Sequence, residues 1–431
     1  MDHAAPHPPV AAPRSHVADL SSATLEEIAE SVGTPAYVYD GRAIDAGLAR
    51  WLSAVPAPDR VWYAVKANSN VRLLARLAES GIGFEVASSG ELARVSRAGV
   101  PPSRILYGGV PKRTDELQTA LRSGLDLVML QARHEVEQAV AQAVDLSPDD
   151  APLRVGLRVR PGIRAGAHPS LETAVRDAKF GLIPEEVPVA WRKLSAASGL
   201  DPVLMGVHLG SGVDPLDPYE RATALLLQLA REVGQEGQPV RELDLGGGLA
   251  IDYQGGPDPD PGALTSVVHG TIRTSSLPGS GRPLPVRYEP GRSIVGRSGL
   301  LLTRVLYSRE EAGRPALVCD AAFSDFARFV LYGAQHRIAP VSAAAEGPPT
   351  VDVLGATCES GDVLGTARAL HGVERGDLLC VHDVGAYGFT MASNYNARPR
   401  PAEVLVDGSE VTVIRRREDP ADLWRGELEP G

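Results

Sequence analysis

Lys66 lies in the run Tyr63-Ala64-Val65-Lys66-Ala67-Asn68, a single ammonium between apolar neighbours. Lysines almost never bury without a partner or a task, and a sheltered lysine amine is a candidate for covalent attachment to a carbonyl compound as a Schiff base. A lysine exposed at the rim of a strand is the other reading. Gly246-Gly247-Gly248 is a second signal. Three consecutive glycines cost backbone entropy and pack nothing, but they let successive N–H groups approach an anion. A phosphate cradle and a strained turn without ligand are the two accounts of it. No Gly-Lys-Ser/Thr follows, so a nucleoside triphosphate loop is not supported. Glu289-Pro290-Gly291-Arg292 sets an acid and a base about a tight turn. Glu289 is suited either to keeping a pyridine nitrogen protonated or to a surface ion pair. In His208-Leu209-Gly210-Ser211-Gly212, His208 offers a flat partner for a ring, and Ser211 and Gly212 offer donors for a phosphate. A packed core histidine is the alternative there.

These residues sit at the ends of short apolar runs, and the runs set the architecture. Val61–Ala67, Gly83–Ala87, Ile105–Gly109, Asp126–Leu130, Leu153–Val159, Val203–Leu209, Glu242–Leu245 and Val286–Glu289 read as eight strands. Between them, Val71–Ser80, Gly90–Ala98, Asp115–Ser123, Ala132–Ala143 and Pro218–Val233 carry apolar residues at helical spacing. Buried parallel strands need helices outside them, so the alternation predicts an α/β fold, a (β/α)8 TIM barrel. An open doubly wound sheet competes, but the first strand runs into Lys66-Ala67-Asn68-Ser69-Asn70 and not into a glycine-rich dinucleotide turn. After about residue 295 the pattern becomes strands separated by turns, with one helical patch around Phe326–Gln335, which predicts a second, mainly β C-terminal domain. The expected organisation is a disordered leader over 1–22, the cofactor-binding barrel over 40–293, and a β domain built from 23–39 and 294–431. Residues 160–180 and 250–280 are expected as loops at the barrel mouth.

Active sites of such barrels lie at the C-terminal ends of the strands. A lysine, a flat-faced histidine, a phosphate-sized glycine loop and an acid would then converge at one mouth, which points to pyridoxal 5'-phosphate. The rest of the composition agrees with a small-molecule enzyme. A formal net charge of -11, from 43 basic and 54 acidic residues with no long basic run, disfavours nucleic acid. No apolar stretch is long enough to span a membrane. The cysteines Cys319, Cys358 and Cys380 form neither a disulfide framework nor a zinc motif, so no metal is expected and a reducing, cytoplasmic setting fits. Cys319 and Cys380 lie in apolar runs, whereas Cys358 is in a polar segment.

The same motifs, together with Cys358-Glu359-Ser360-Gly361-Asp362, Gly385-Ala386-Tyr387-Gly388 and Asn394-Tyr395-Asn396, resemble the ordered motifs of the diaminopimelate decarboxylases. These enzymes belong to the fold type III, alanine-racemase-like pyridoxal-phosphate proteins, and the resemblance covers nearly the whole chain after the leader. It implies that Lys66 binds the cofactor covalently, that His208 stacks on the ring, that Glu289 pairs with the pyridine nitrogen, and that Ser211, Gly248, Gly291 and Tyr387 surround the phosphate. It further implies that Arg292, Arg328 and Tyr332, with Tyr387 nearby, bind the retained carboxylate of the substrate, and that Glu359 recognises its distal amino group. Cys358 would donate a proton in trans across a homodimer. The expected reaction is decarboxylation of meso-2,6-diaminopimelate to L-lysine. Gly212, Phe329, Ala356 and the Gly108-Gly109-Val110-Pro111-Lys112 turn depart from the family's commoner residues. They remove no chemical group, but they leave open a decarboxylase of another diamino or carrier-bound amino acid, or a racemase of the same fold. A non-catalytic cofactor carrier would lack the β domain that bears Cys358, Glu359 and Tyr387.

Overall fold

A computed structural model of the chain describes residues 17–57, 60–109, 111–143, 152–166, 168, 171–275, 284–311, 314–342 and 350–428. Of the expected leader, residues 1–16 lie outside the described residues. Residues 17–22 depart from a disordered leader. The Ala18 N–H donates to the Arg297 carbonyl at 2.9 Å, and Ser21 caps a helix over Ser22–Val32 by accepting from the Thr24 N–H at 3.1 Å.

The first strand, β1 (Ala36–Asp40), precedes the barrel. The barrel is closed by eight parallel strands: β2 (Arg60–Ala64), β3 (Gly83–Val86), β4 (Ile105–Tyr107), β5 (Leu127–Leu130), β6 (Leu153–Arg158), β7 (Leu200–Gly206), β8 (Glu242–Asp244) and β9 (Val286–Tyr288). Ring closure is made by β2 and β9, with Val61 opposite Tyr288. Most of these strands are buried along their length, as expected where helices cover the outside of the ring. The helices include Val71–Ala78, Ser89–Arg97, Thr114–Arg122, Arg133–Ala143 and Asp217–Gln235, close to the expected spans, together with Gly41–Ala54 and Val187–Ser195. One expectation is corrected: the 250–280 segment is not all loop, because Pro261–Thr274 is a helix. Its start is set by Asp260, which accepts from the Gly262 and Ala263 N–H groups, and by Pro261 in the first turn.

At the opposite end from the strand C-termini, Arg287 of β9 is 1% exposed and fills the barrel floor. It bonds Asp126 at 2.6 Å and Glu242, and its guanidinium lies 4.6 Å from the Trp62 ring centroid. Two carboxylates on one buried guanidinium offset a desolvation cost that a lone charge could not bear.

The second domain is a nine-stranded sheet. It comprises β1, β10 (Gly299–Glu311), β11 (Arg314–Cys319), β12 (Ile338–Pro340), β13 (Val351–Leu354), β14 (Val363–Arg368), β15 (Leu378–Val381), β16 (Ala402–Asp407) and β17 (Glu410–Arg415). Strand β1 is central: it runs antiparallel to β10, with Ala36 opposite Leu302, and parallel to β16, with Ala36 opposite Ala402. Its side chains alternate. Tyr37 and Tyr39 enter the large core shared with the barrel, while Val38 joins Leu25, Ile28, Leu300, Leu302, Val404 and Val406 in a separate core under the Ser22–Val32 helix. The sheet therefore holds the barrel on one face and a helix on the other. No helix among the described residues is long and apolar enough to cross a membrane.

Candidate active site

Lys66 is presented differently from the extended strand that the sequence suggests. Strand β2 ends at Ala64, which is paired with Glu85, and Val65–Ala67 form a single 3-10 turn. The turn is tied down because the strand's hydrogen bonding is exhausted there and other elements take over. The Ala64 N–H donates to the Pro290 carbonyl at 3.1 Å, and the Tyr387 N–H donates to Ala67 at 2.8 Å. The Tyr63 hydroxyl donates to the Asn68 carbonyl at 3.0 Å. The lysine is thereby aimed across the mouth, where its Nζ donates to Glu85 Oε2 at 2.6 Å. Burial disfavours the ammonium, but its acidic surroundings, the hydrogen-bonded Glu85 foremost, outweigh it and hold the Lys66 pKa above its ordinary value.

Lys66, Glu85, Arg158, His208, Asp244 and Glu289, with Leu106, Gly108, Met129, Gly206 and Val207, line a cavity that opens to solvent. Its wall carries three carboxyl groups. Burial, then Asp244 and Glu85, push the Glu289 pKa well above the carboxylate range, and burial pushes Asp244 to about 6. Asp244 Oδ1 accepts the Gly246 N–H at 2.7 Å, while its Oδ2 is buried without a donor from a neighbouring cation. A proton on Glu289, directed at Asp244, satisfies both carboxyls, since like charges in one pocket cannot both ionise cheaply. His208 is neutral: burial, Lys66 and Arg158 all depress its pKa, and its Nδ1 accepts the Gly247 N–H at 3.3 Å.

The glycine run wraps the adjoining edge. Gly246 and Gly248 have φ of +63° and +106°, and a Cβ on Gly248 would stand 2.5 Å from the Gly210 carbonyl oxygen. Side chains are thus excluded by both conformation and space. Among the described residues, no protein acceptor takes the N–H of Gly248 or of Gly291. Ser211 is beside them and accepts from Arg292 Nη2 at 2.8 Å and Nε at 3.2 Å, which leaves its own proton to donate. Tyr387 completes this edge in a left-handed conformation, φ +57°, at a cost of about 1 kcal/mol for a non-glycine residue. The ring of Tyr387 lies 4.8 Å from the Arg292 guanidinium. Free N–H groups, a hydroxyl and a guanidinium are a donor set for a phosphate. Together with a neutral histidine, a buried acid able to carry a proton and an amine, they fit pyridoxal phosphate.

A second patch adjoins this edge. Arg328, in the short helix Arg328–Tyr332, is 3% exposed, and its guanidinium lies 5.5 Å from the Tyr253 ring and 5.9 Å from the Tyr332 ring. Tyr253 also bonds Arg292 through its hydroxyl, so it stands between the two arginines. Cys358 and Glu359 are placed elsewhere. Both are exposed; Cys358 donates through N and Sγ to Asn396 Oδ1, each at 3.3 Å, and Glu359 accepts from the Tyr395 hydroxyl. None of these bonds reaches the Lys66 cavity of the same chain. Cys319 and Cys380 are buried thiols pushed up to about 12 by burial. Among the described residues no cluster of His, Cys, Asp and Glu is placed to hold a metal ion.

Four residues of the site escaped the sequence reading: Glu85, Arg158, Asp244 and Tyr253. For Glu85 and Asp244 a usable signal existed, since each is an acid inside a buried strand, Gly83–Val86 and Glu242–Asp244, where unpartnered charge is costly.

Comparison with known proteins agrees with this geometry. The family described as "Pyridoxal-dependent decarboxylase, pyridoxal binding domain" matches residues 42–296. The diaminopimelate decarboxylase of Pseudomonas aeruginosa is 38% identical over 404 residues, covering 94% of this chain and 95% of that protein. Among solved structures, diaminopimelate decarboxylase from Helicobacter pylori complexed with L-lysine superposes with a TM-score of 0.87 at 31% identity, over 93% of this chain and 98% of that one. The enzyme from M. jannaschii in co-complex with L-lysine gives 0.86 at 31% identity, over 94% of each chain.

Proposed function

The chain belongs to the pyridoxal-dependent decarboxylases, in their diaminopimelate decarboxylase branch, and from this premise we propose that it converts meso-2,6-diaminopimelate to L-lysine and CO2. The observation that carries the choice of substrate is the pair Arg292 and Arg328 around Tyr253 beside the lysine cavity. A guanidinium as buried as Arg328 is costly unless an anion matches it, and it offers a carboxylate a two-pronged site. Ornithine and lysine carry only the carboxylate that is lost. Diaminopimelate carries a second one, which Arg292, Arg328 and Tyr332 would retain.

Lys66 would hold the cofactor covalently through its amine, Glu289 its ring nitrogen, His208 its ring face, and Ser211, Gly248, Gly291 and Tyr387 its phosphate. When bound, pyridoxal phosphate supplies an electron sink for the pair left as CO2 departs. Glu289 would share the proton that its raised pKa retains with the ring nitrogen, in place of directing it at Asp244. Glu85 keeps Lys66 oriented through its 2.6 Å bond and accepts charge as the lysine changes protonation. Cys358 would then return a proton to the carbon that lost CO2, and Glu359 would receive the distal ammonium.

Purified protein incubated with pyridoxal phosphate and meso-diaminopimelate should release L-lysine and CO2 in equal amounts. Loss of optical activity without CO2 would assign a racemase instead, and absence of lysine would remove diaminopimelate as the substrate.

A homodimer with shared sites is part of the proposal. It is supported by the exposure of Cys358 and Glu359 away from their own cavity and by the exposed Val330 and Leu331 beside Arg328. Mixing Lys66→Ala and Cys358→Ala subunits should restore activity that neither has alone, up to about a quarter of wild type if random pairing gives half hybrids with one intact site each. No recovery on mixing would place Cys358 in the site of its own chain. The free thiols support a cytoplasmic setting.

A further inference from the structure

We propose that His336 is a positioning residue for substrate selection: it fixes the Arg328 guanidinium so that its two terminal nitrogens face the retained carboxylate. The inference rests on the proposed function and goes beyond it by assigning a residue outside the site's own contact set.

The geometry starts at the end of the Arg328–Tyr332 helix. Gly333 ends it at φ +61°, in the left-handed region, with its N–H donating to the Phe329 carbonyl at 2.7 Å. The reversal brings His336 back beneath Arg328, where it is 1% exposed. His336 Nδ1 is 2.8 Å from the His382 carbonyl oxygen. A carbonyl only accepts, so Nδ1 carries the proton and Nε2 carries a lone pair. That lone pair receives the Arg328 Nε–H at 3.3 Å. Burial and the Arg328 charge push the imidazole down to about 3, consistent with this single neutral tautomer.

Three consequences follow for Arg328. Its inward N–H is satisfied by a neutral acceptor, which does not compete with a substrate for charge as a carboxylate would. Among the described residues this is the one hydrogen bond its guanidinium makes, so the two outer nitrogens remain for a ligand. The plane of the group is set because the imidazole is itself clamped. Its ring centroid lies 4.4 Å from that of Tyr253 and 4.8 Å, edge to face, from that of Phe326. Behind it, the His382 N–H donates to the Arg337 carbonyl at 2.9 Å, and Ile338 pairs with Val381 in the sheet. A planar, two-pronged site for a carboxylate depends on such orientation, and the sheet supplies it through His336.

The test uses the pyridoxal-phosphate-loaded protein and two ligands that differ by one group: L-lysine, which keeps the carboxylate, and cadaverine, the same diamine without it. Binding is followed by calorimetry. Wild type should prefer L-lysine. His336→Leu, which keeps bulk but removes the acceptor, should weaken L-lysine roughly tenfold or more, the range for losing a hydrogen bond to a charged group, with cadaverine unchanged. His336→Gln, whose Oε1 can accept the Arg328 Nε–H, should recover most of the loss. In turnover, His336→Leu should raise KM for diaminopimelate and leave kcat near wild type. A merely structural role would instead lower cofactor content and melting temperature and weaken both ligands together. His336→Met serves as the acceptor-free partner of His336→Gln should the Leu variant not fold. An L-lysine-to-cadaverine preference equal to wild type in the acceptor-free variants overturns the inference. If wild type itself shows no preference for L-lysine, the assignment of the arginine pair fails first, and the role of His336 falls with it.

Discussion

Replacing Lys66 with alanine is expected to lower kcat for diaminopimelate by ~10⁴-fold or more, the scale on which losing a covalent and proton-handling group acts. Two effects combine. The amine that would bind the cofactor is gone, and Glu85 loses the cation 2.6 Å away. With that cation removed, a carboxyl only 4% exposed is left without its charge partner. Lys66→Arg separates the two effects, since it keeps a positive charge for Glu85 but offers no neutral amine at working pH. Both variants should be inactive, and only the alanine variant should lose the charge balance of the cavity. Borohydride reduction followed by peptide mapping should find the cofactor on Lys66 in wild type and on no residue in either variant. Activity within about tenfold of wild type in Lys66→Arg would remove the lysine from the chemistry.

Glu289→Gln is the second large effect, with an expected fall in kcat of ~10²–10³-fold, in the range for losing a positioned proton-holding group. An amide can hydrogen-bond a ring nitrogen but does not keep it protonated, so the electron sink weakens. KM should move little, because Arg292, Arg328 and Tyr332 are untouched. Unchanged kcat would show that the ring nitrogen does not depend on this acid.

Much of this arrangement is legible in the sequence because glycine and proline announce the turns where barrel strands end. Gly246-Gly247-Gly248 and Glu289-Pro290-Gly291-Arg292 follow β8 and β9 at their C-terminal ends. The turn at Lys66 is not announced, since Val65 and Ala67 continue an apolar run and its reversal is imposed by Pro290, Tyr387 and Asn68, remote in sequence. The helix Pro261–Thr274 was hidden by the same residues that cap it. His336 was invisible for a different reason: its role depends on the carbonyl of His382, 46 residues away, a partner that no local pattern encodes. Motifs at strand ends are legible in the sequence, whereas support carried by tertiary contacts is not.

Strand β1 has a bearing on how the molecule is made. It leaves the ribosome before any barrel strand, but its two sheet neighbours come much later, and the bond from Tyr39 to Glu403 closes a separation of 364 residues. Until β10 emerges both edges of β1 lack their final pairing, and one still does until β16 follows; an unpaired strand edge is an invitation to aggregation. The barrel, whose neighbouring strands are mostly close in sequence, can close during synthesis, whereas the sheet must wait for almost the whole chain. Biogenesis should therefore be most fragile late, and a chaperone that shields Ala36–Asp40 should improve the yield of active protein more than one that acts on the barrel.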